Sequence, residues 1–195
     1  MHMNYNYGKN VTKVFGLFVV VAFIGWAVSN FLSGIHFWGL PLPEGANPSG
    51  SLEVITSEWA YVFGIPLAFL GSIYYLTVIT AASMWFQTKH PLILKSLTVV
   101  TATGVVFSAF FVYLQLGIIN EICPFCMISA AASTILFLLE IYMVKVSDLP
   151  SFSELISDWS NAYTKTSLIQ SAFIVVTGLL VIAGYYGATL APIPT

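Results

Sequence analysis

The stretch CPFCMISAAASTILFLLEIYMV, Cys123 to Val144, decides the class of this protein. A membrane helix takes about 20 mainly apolar residues, and this run meets that length with a single charge, Glu140. It opens on Cys123-Pro124-Phe125-Cys126, and these are the only two cysteines in the chain. A redox-capable pair therefore stands where a membrane helix begins.

The rest of the sequence agrees with a lipid environment. Of 195 residues, 58% are hydrophobic and 7% charged, against roughly 25% charged in ordinary soluble domains. Mean hydropathy is +0.89. So few charges cannot clothe a water-facing surface. There is no basic block, so nothing points to nucleic acid. The expected fold is an all-α membrane protein of five spans: about 13–32, 63–86, 94–119, 123–144 and 168–190. Lys9 and Lys13 ahead of an apolar run, with Ala27-Val28-Ser29 after it, resemble a signal peptide. The first run is long enough to span, and we read it as a retained helix. The whole chain, 1–195, reads as one transmembrane domain without internal repeats.

All six basic residues are lysines: Lys9, Lys13, Lys89, Lys95, Lys145 and Lys165. With five spans they fall on one side, which the positive-inside rule makes cytoplasmic. The protein is expected in the cell membrane with a cytoplasmic N-terminus. The loop at 33–62, the turn before Cys123 and the C-terminus then lie outside, with the cysteine pair on the oxidising face.

Two polar segments carry helical periodicity. Phe152, Leu155, Ile156, Trp159 and Tyr163, behind a Ser151-to-Glu154 capping box, suggest a helix on the inner membrane surface over 151–163. Leu52, Ile55, Trp59 and Val62 suggest a short lid helix over 51–63, over the outer end of the bundle. Gly64, Ala68 and Ser72 form a small-residue stripe, read as a packing surface. Glu140 lies about 25 Å along its helix from Cys123, a depth that suggests a snorkelling or capping charge.

The cysteine pair admits several chemistries. Zinc normally takes four ligands, and only His36 is available on that side, so no metal is expected. Haem attachment needs His after the second cysteine, and Met127 is there. A structural disulfide would close a very small loop and contribute little. A redox-active pair is favoured: a helix N-terminus offers free N–H groups and a positive dipole end, which help a thiolate. Glu121 acts against it. A dithiol at the bilayer edge sits beside membrane quinones, which accept the two electrons and two protons that disulfide formation releases. Phe107, Phe110, Phe111, Tyr113, Tyr74 and Tyr75 could face a flat ring. Of these, Phe107, Phe111 and Tyr75 are the candidate cofactor-binding residues.

A second motif narrows this further. Val54-Ile55-Thr56-Ser57-Glu58-Trp59-Ala60-Tyr61-Val62-Phe63-Gly64-Ile65-Pro66-Leu67, continuing to Leu70-Gly71 and Tyr74-Tyr75, resembles the outer segment of the vitamin K epoxide reductase family. The CxxC and the order of elements from about 13 to 190 are similar to it as well. The Phe63-to-Pro66 run argues against the related disulfide-bond protein B type. The resemblance implies a four-helix bundle plus one peripheral helix. It implies a quinone of menaquinone, ubiquinone or phylloquinone type near Cys126, and disulfide exchange at Cys123 with an extracytoplasmic thioredoxin-fold protein. Members usually carry a further cysteine pair in the outer loop. Its second member would fall at Ser51, and no cysteine occurs anywhere in 33–62. A partner thiol would then have to reach Cys123 directly. Many bacterial relatives continue after the fifth span into a thioredoxin-like domain, whereas this sequence ends at Thr195. The rival expectation is a non-catalytic structural subunit of a larger membrane complex.

Overall fold

The computed structural model describes residues 7–38, 48–62, 64–147, 149–150 and 165–188. Among these residues six α-helices carry the fold: α1 (Val11–Trp38), α2 (Pro48–Thr56), α3 (Leu67–Thr88), α4 (Pro91–Leu114), α5 (Pro124–Val146) and α6 (Lys165–Ala188). A 3-10 turn (Glu58–Ala60) and a two-residue hairpin, β1 (Tyr61–Val62) with β2 (Ile65–Pro66), link α2 to α3. A π-helical turn (Gln115–Ile119) ends α4. All the helices but α2 are long and apolar enough to cross a membrane. Within such a helix every backbone bond is made internally, which lipid demands.

α1 packs on α3 and α5, and α4 on the same two helices, giving a four-helix bundle. α6 lies outside it, mainly against α3. Ile169 and Phe173 of α6 are 70% and 71% exposed. In water that would be costly, and against lipid it is not. The family's bundle-plus-one arrangement is therefore observed.

The lysine-bearing end is closed by aromatic packing. Phe15 and Trp85 stack with ring centres 4.1 Å apart, and Tyr7 meets Trp85 edge-on at 5.3 Å. Lys89 ends α3 in the left-handed region, φ 51°, with its ammonium 3.8 Å above the Trp85 ring. Burial there pushes the Lys89 ammonium below its ordinary pKa. His90 caps α4 by accepting from the Leu92 N–H at 3.2 Å, ahead of Pro91 in the first turn. The Tyr7 hydroxyl donates to the Lys89 carbonyl and Lys95 donates to the Pro150 carbonyl. Lys9, Lys13, Lys89, Lys95 and Lys145 thus belong to one end of the bundle.

Several expectations need correction. The lid is a shorter helix: α2 stops at Thr56, where the Ser57 hydroxyl donates to the Val54 carbonyl at 2.8 Å. Such a bond competes with helix continuation. The inward face of α2 is Ser51, Val54 and Ile55, while Trp59 sits beyond the break and is 48% exposed. The second span begins at Leu67, because Gly64 turns the hairpin at φ 77° and so lies outside the helix. The other two members of the stripe do pack: Ala68 lies against the cluster around Cys123 and Ser72 is buried, with Gly71 beside them close to Ser29 of α1. Glu140 does not snorkel. It is fully buried, because Ala132, Ser133, Leu136, Glu140 and Met143 form the buried stripe of α5. Neither carboxylate oxygen has a hydrogen-bond partner among the described residues. The proposed inner-surface helix at 151–163 lies outside the described residues.

One of the closest approaches between helices is at Gly25 of α1, which receives the Tyr75 ring; a Cβ there would overlap it. The ring cannot swing aside freely, since its hydroxyl is bonded to α5. Gly25→Ala should therefore destabilise the fold by about 1–3 kcal/mol, as overpacking does. Thermal melting in detergent, followed by circular dichroism, would show a lowered midpoint; an unchanged midpoint would contradict this packing.

Candidate functional site

The site is built by the reversal between α4 and α5. After the π-helical turn, Asn120 adopts the left-handed region, φ 57°, a conformation that Asn tolerates. The chain then extends through Cys123 (φ −94°, ψ 107°), which is the N-cap of α5. Pro124 follows in the first turn, where its missing N–H costs nothing.

Cys123 and Cys126 form a disulfide with a Cα–Cα distance of 5.2 Å, inside the usual span of about 4.4–6.8 Å. The Cys126 N–H donates to Cys123 Sγ at 3.2 Å, so the sulfur itself serves as the cap. The Met127 N–H donates to the Cys123 carbonyl at 3.0 Å. The Cys123 N–H precedes the helix and has no partner within it. Gln115 supplies one, its Oε1 accepting at 3.0 Å. A buried backbone donor left unpaired would cost about 1–3 kcal/mol.

The two cysteines face different surroundings. Cys123 is fully buried, packed with Leu32 and Ile35 of α1 and Val54 and Ile55 of α2. Ser51 lies on the same buried face of α2, one helical turn before Val54 and Ile55. Its hydroxyl is enclosed and has no hydrogen-bond partner among the described residues. Cys126 instead borders a cavity of about 390 Å³. Tyr74 and Tyr75 of α3, Phe107 and Phe111 of α4, and Trp59 beyond the lid helix form its aromatic walls. Gln115 borders it too.

All three candidate cofactor-binding residues, Phe107, Phe111 and Tyr75, therefore stand around one cavity with Cys126. Phe110 and Tyr113 do not line it and are 49% and 64% exposed. Tyr75 contributes its ring only. Its hydroxyl bonds to the Ser129 carbonyl at 2.7 Å and to the Ser129 and Ser133 hydroxyls at 3.1 Å each. Tyr74 points its hydroxyl into the notch at Gly104, where the oxygen is enclosed without a partner. The side chain of His36 lies outside the described residues. Gln115 and Trp59 were not among the site residues read from sequence. The signal available for Gln115 was an amide in an apolar run, eight residues before Cys123.

A quinone ring fits this cavity on its chemistry. Ligand sites commonly measure about 300–1,000 Å³, with apolar walls and a few convergent polar groups. Here the walls are aromatic, and Gln115 adds an amide beside the disulfide.

These features define a membrane-embedded CxxC protein with an aromatic ligand cavity at its disulfide. The model of the vitamin K epoxide reductase family matches residues 16–141, and the chain belongs to that family, whose members are in general quinone-linked membrane oxidoreductases. No curated protein matches the sequence.

Tyr75 ties α3 to α5 through its hydroxyl. Tyr75→Phe should lower stability by about 1 kcal/mol and leave the cavity walls in place. Its melt in detergent should fall by a few degrees, with the Cys123–Cys126 disulfide still forming. A melt identical to wild type would mean that these bonds carry no net stability.

Proposed function

We propose that the protein is a quinone-linked thiol–disulfide oxidoreductase acting between an extracytoplasmic thioredoxin-fold partner and a membrane quinone. The observation that carries this reading is the division of the disulfide: Cys126 borders the aromatic cavity, and Cys123 is turned to the lid helix. The lysine-bearing end is cytoplasmic on the positive-inside rule, which puts the pair on the oxidising side.

On this reading a thiolate of the partner attacks Cys123 Sγ, the Cys123–Cys126 bond breaks, and Cys126 leaves as a thiolate. The partner's second thiolate then attacks the mixed disulfide and releases Cys123. The N-terminal end of α5 favours both thiolates, since its N–H groups and dipole present positive charge. The Cys126 N–H, already aimed at Cys123 Sγ at 3.2 Å, is one such donor. A quinone in the cavity supplies a two-electron, two-proton acceptor, so re-forming the disulfide is balanced by formation of a quinol. Phe107, Phe111 and the Tyr75 ring hold a flat ring beside Cys126. The enclosing side chains limit the access of water to it.

The missing loop pair shapes the partner's route. Ser51 cannot carry a disulfide, so the partner's thiol takes the place that a loop cysteine has in relatives. Cys123 is sealed by Val54 and Ile55, so the lid helix must move aside for each exchange.

Two experiments test this. Purified protein given a reduced thioredoxin-fold protein and a short-chain quinone should reduce the quinone. Cys126→Ala, which leaves Cys123 with no disulfide for the partner's thiolate to attack, should abolish turnover. Unchanged turnover in that variant would sink the mechanism. Separately, the double variant Ser51→Cys, Cys126→Ala leaves two thiols, at positions 51 and 123. They should oxidise to a disulfide that protects both from maleimide. Free labelling of both under oxidising conditions would show that the lid does not present position 51 to Cys123.

A further inference from the structure

Gln115 has a second hydrogen-bonding group that the fold leaves unused. The Cys123 N–H is a donor, so the amide group facing it must be the carbonyl end, Oε1. That fixes the orientation of the side chain on hydrogen-bonding grounds. Nε2 therefore points away from Cys123. No described residue accepts from it, and it is not an enclosed orphan like Tyr74 Oη. It reaches open space, and Gln115 borders the cavity. Gln115 is only 4% exposed, so little freedom remains for the amide to turn elsewhere.

The backbone also holds the amide in place. Gln115 is the first residue of the π-helical turn, a local geometry that recurs at functional sites. Among the described hydrogen bonds, Gln115 is the side chain outside the Cys123–Cys126 loop that bonds to it. Tyr75, another polar side chain at the cavity, has spent its hydroxyl on Ser129 and Ser133. An amide donor at the cavity wall, beside the disulfide and otherwise unpaired, calls for an acceptor on the ligand.

We propose that Gln115 both positions the disulfide and selects the ligand: Oε1 holds the Cys123 N–H, and Nε2 donates to a carbonyl oxygen of the ring bound beside Cys126. This rests on the quinone reading of the cavity. It goes further in requiring a carbonyl acceptor at a defined wall, so the site discriminates quinones from flat hydrocarbons of the same shape. Trp59 and Ser108 also line the cavity, but Gln115 is the donor that is fixed beside the disulfide. Stacking on Phe107 and Phe111 serves either ligand, whereas the Gln115 amide serves only the carbonyl-bearing one.

The test compares two ligands on two proteins by titration calorimetry in detergent: menadione, and 2-methylnaphthalene, which has the same fused rings and methyl group without the carbonyls. The protein is kept oxidised, so its only cysteines are paired and menadione meets no thiol. Gln115→Met should weaken menadione binding about tenfold, as loss of one hydrogen bond does, and leave 2-methylnaphthalene unchanged. Gln115→Glu, studied at a pH where infrared spectroscopy shows the carboxylate ionised and so without a donor, keeps an oxygen for the Cys123 N–H and is the second variant should Gln115→Met fail to fold; the same selective loss is expected. An equal loss for both ligands would mean that Gln115 only maintains the shape of the cavity, and no loss for either would mean that Nε2 is not used; each overturns the inference while leaving quinone binding intact. If wild-type protein binds neither ligand, the quinone reading itself falls and takes this inference with it.

Discussion

Lipid offers no hydrogen-bond partner, so the backbone and most hydroxyl groups of these helices find one inside the bundle. Much of the architecture follows from that one constraint. Ser33, Ser72, Thr77, Thr80, Thr88, Ser96, Thr101, Thr103 and Thr134 each return their hydroxyl to a carbonyl four residues back on their own helix. At Tyr75 and Gln115 the bond instead crosses between helices, and it fixes their relation. Tyr75 joins α3 to α5 in this way. Gln115 joins the end of α4 to the start of α5. The disulfide site hangs from the second of these, because without it the Cys123 N–H would face an apolar surround.

The same constraint explains what the sequence made legible. Five apolar runs read directly as five helices, since a lipid-facing surface tolerates little else. The start of α5 at the cysteine pair was also legible, although that Cys123 caps it through its own sulfur was not. The aromatic residues of the site were recognisable as a group. Phe107, Phe111 and Tyr75 were singled out from it and do line the cavity; Tyr74, which lines it as well, was left in the wider group, because which side of α3 meets the cavity depends on its rotation in the bundle.

The features that escaped depend on three-dimensional coincidence. The lid's phase changed at Ser57, whose hydroxyl takes the Val54 carbonyl and stops α2 before Trp59. A periodicity carried through that break placed Trp59 on the wrong face. Glu140 looked peripheral by depth along α5, yet it shares the stripe of Leu136 and Met143. Rotation about the helix axis, not depth, decided its burial. Gln115 read as one polar residue in an apolar span. Its meaning comes from a backbone N–H eight residues later, brought back to it by a π-helical turn that no residue pattern announced.

The arrangement of the disulfide imposes a further condition on any exchange at Cys123. The two sulfurs are bonded to each other, yet one borders the cavity and the other the underside of the lid. Val54 and Ile55 cover Cys123 and also wall the cavity beside Cys126, so on the proposed function the lid keeps a ligand at Cys126 apart from a thiol approaching Cys123. That separation requires the lid to stay closed for most of the time. Burying Val or Ile is worth about 1.5–3 kcal/mol each, and the inward face of α2 carries one of each, Val54 and Ile55, beside the small Ser51. Lifting α2 therefore costs a few kcal/mol, within the range of local openings that folded proteins sample reversibly. A longer or more apolar lid would hold Cys123 shut against a partner. The brevity of α2, which ends at Thr56, is thus part of how the site reconciles protection with access.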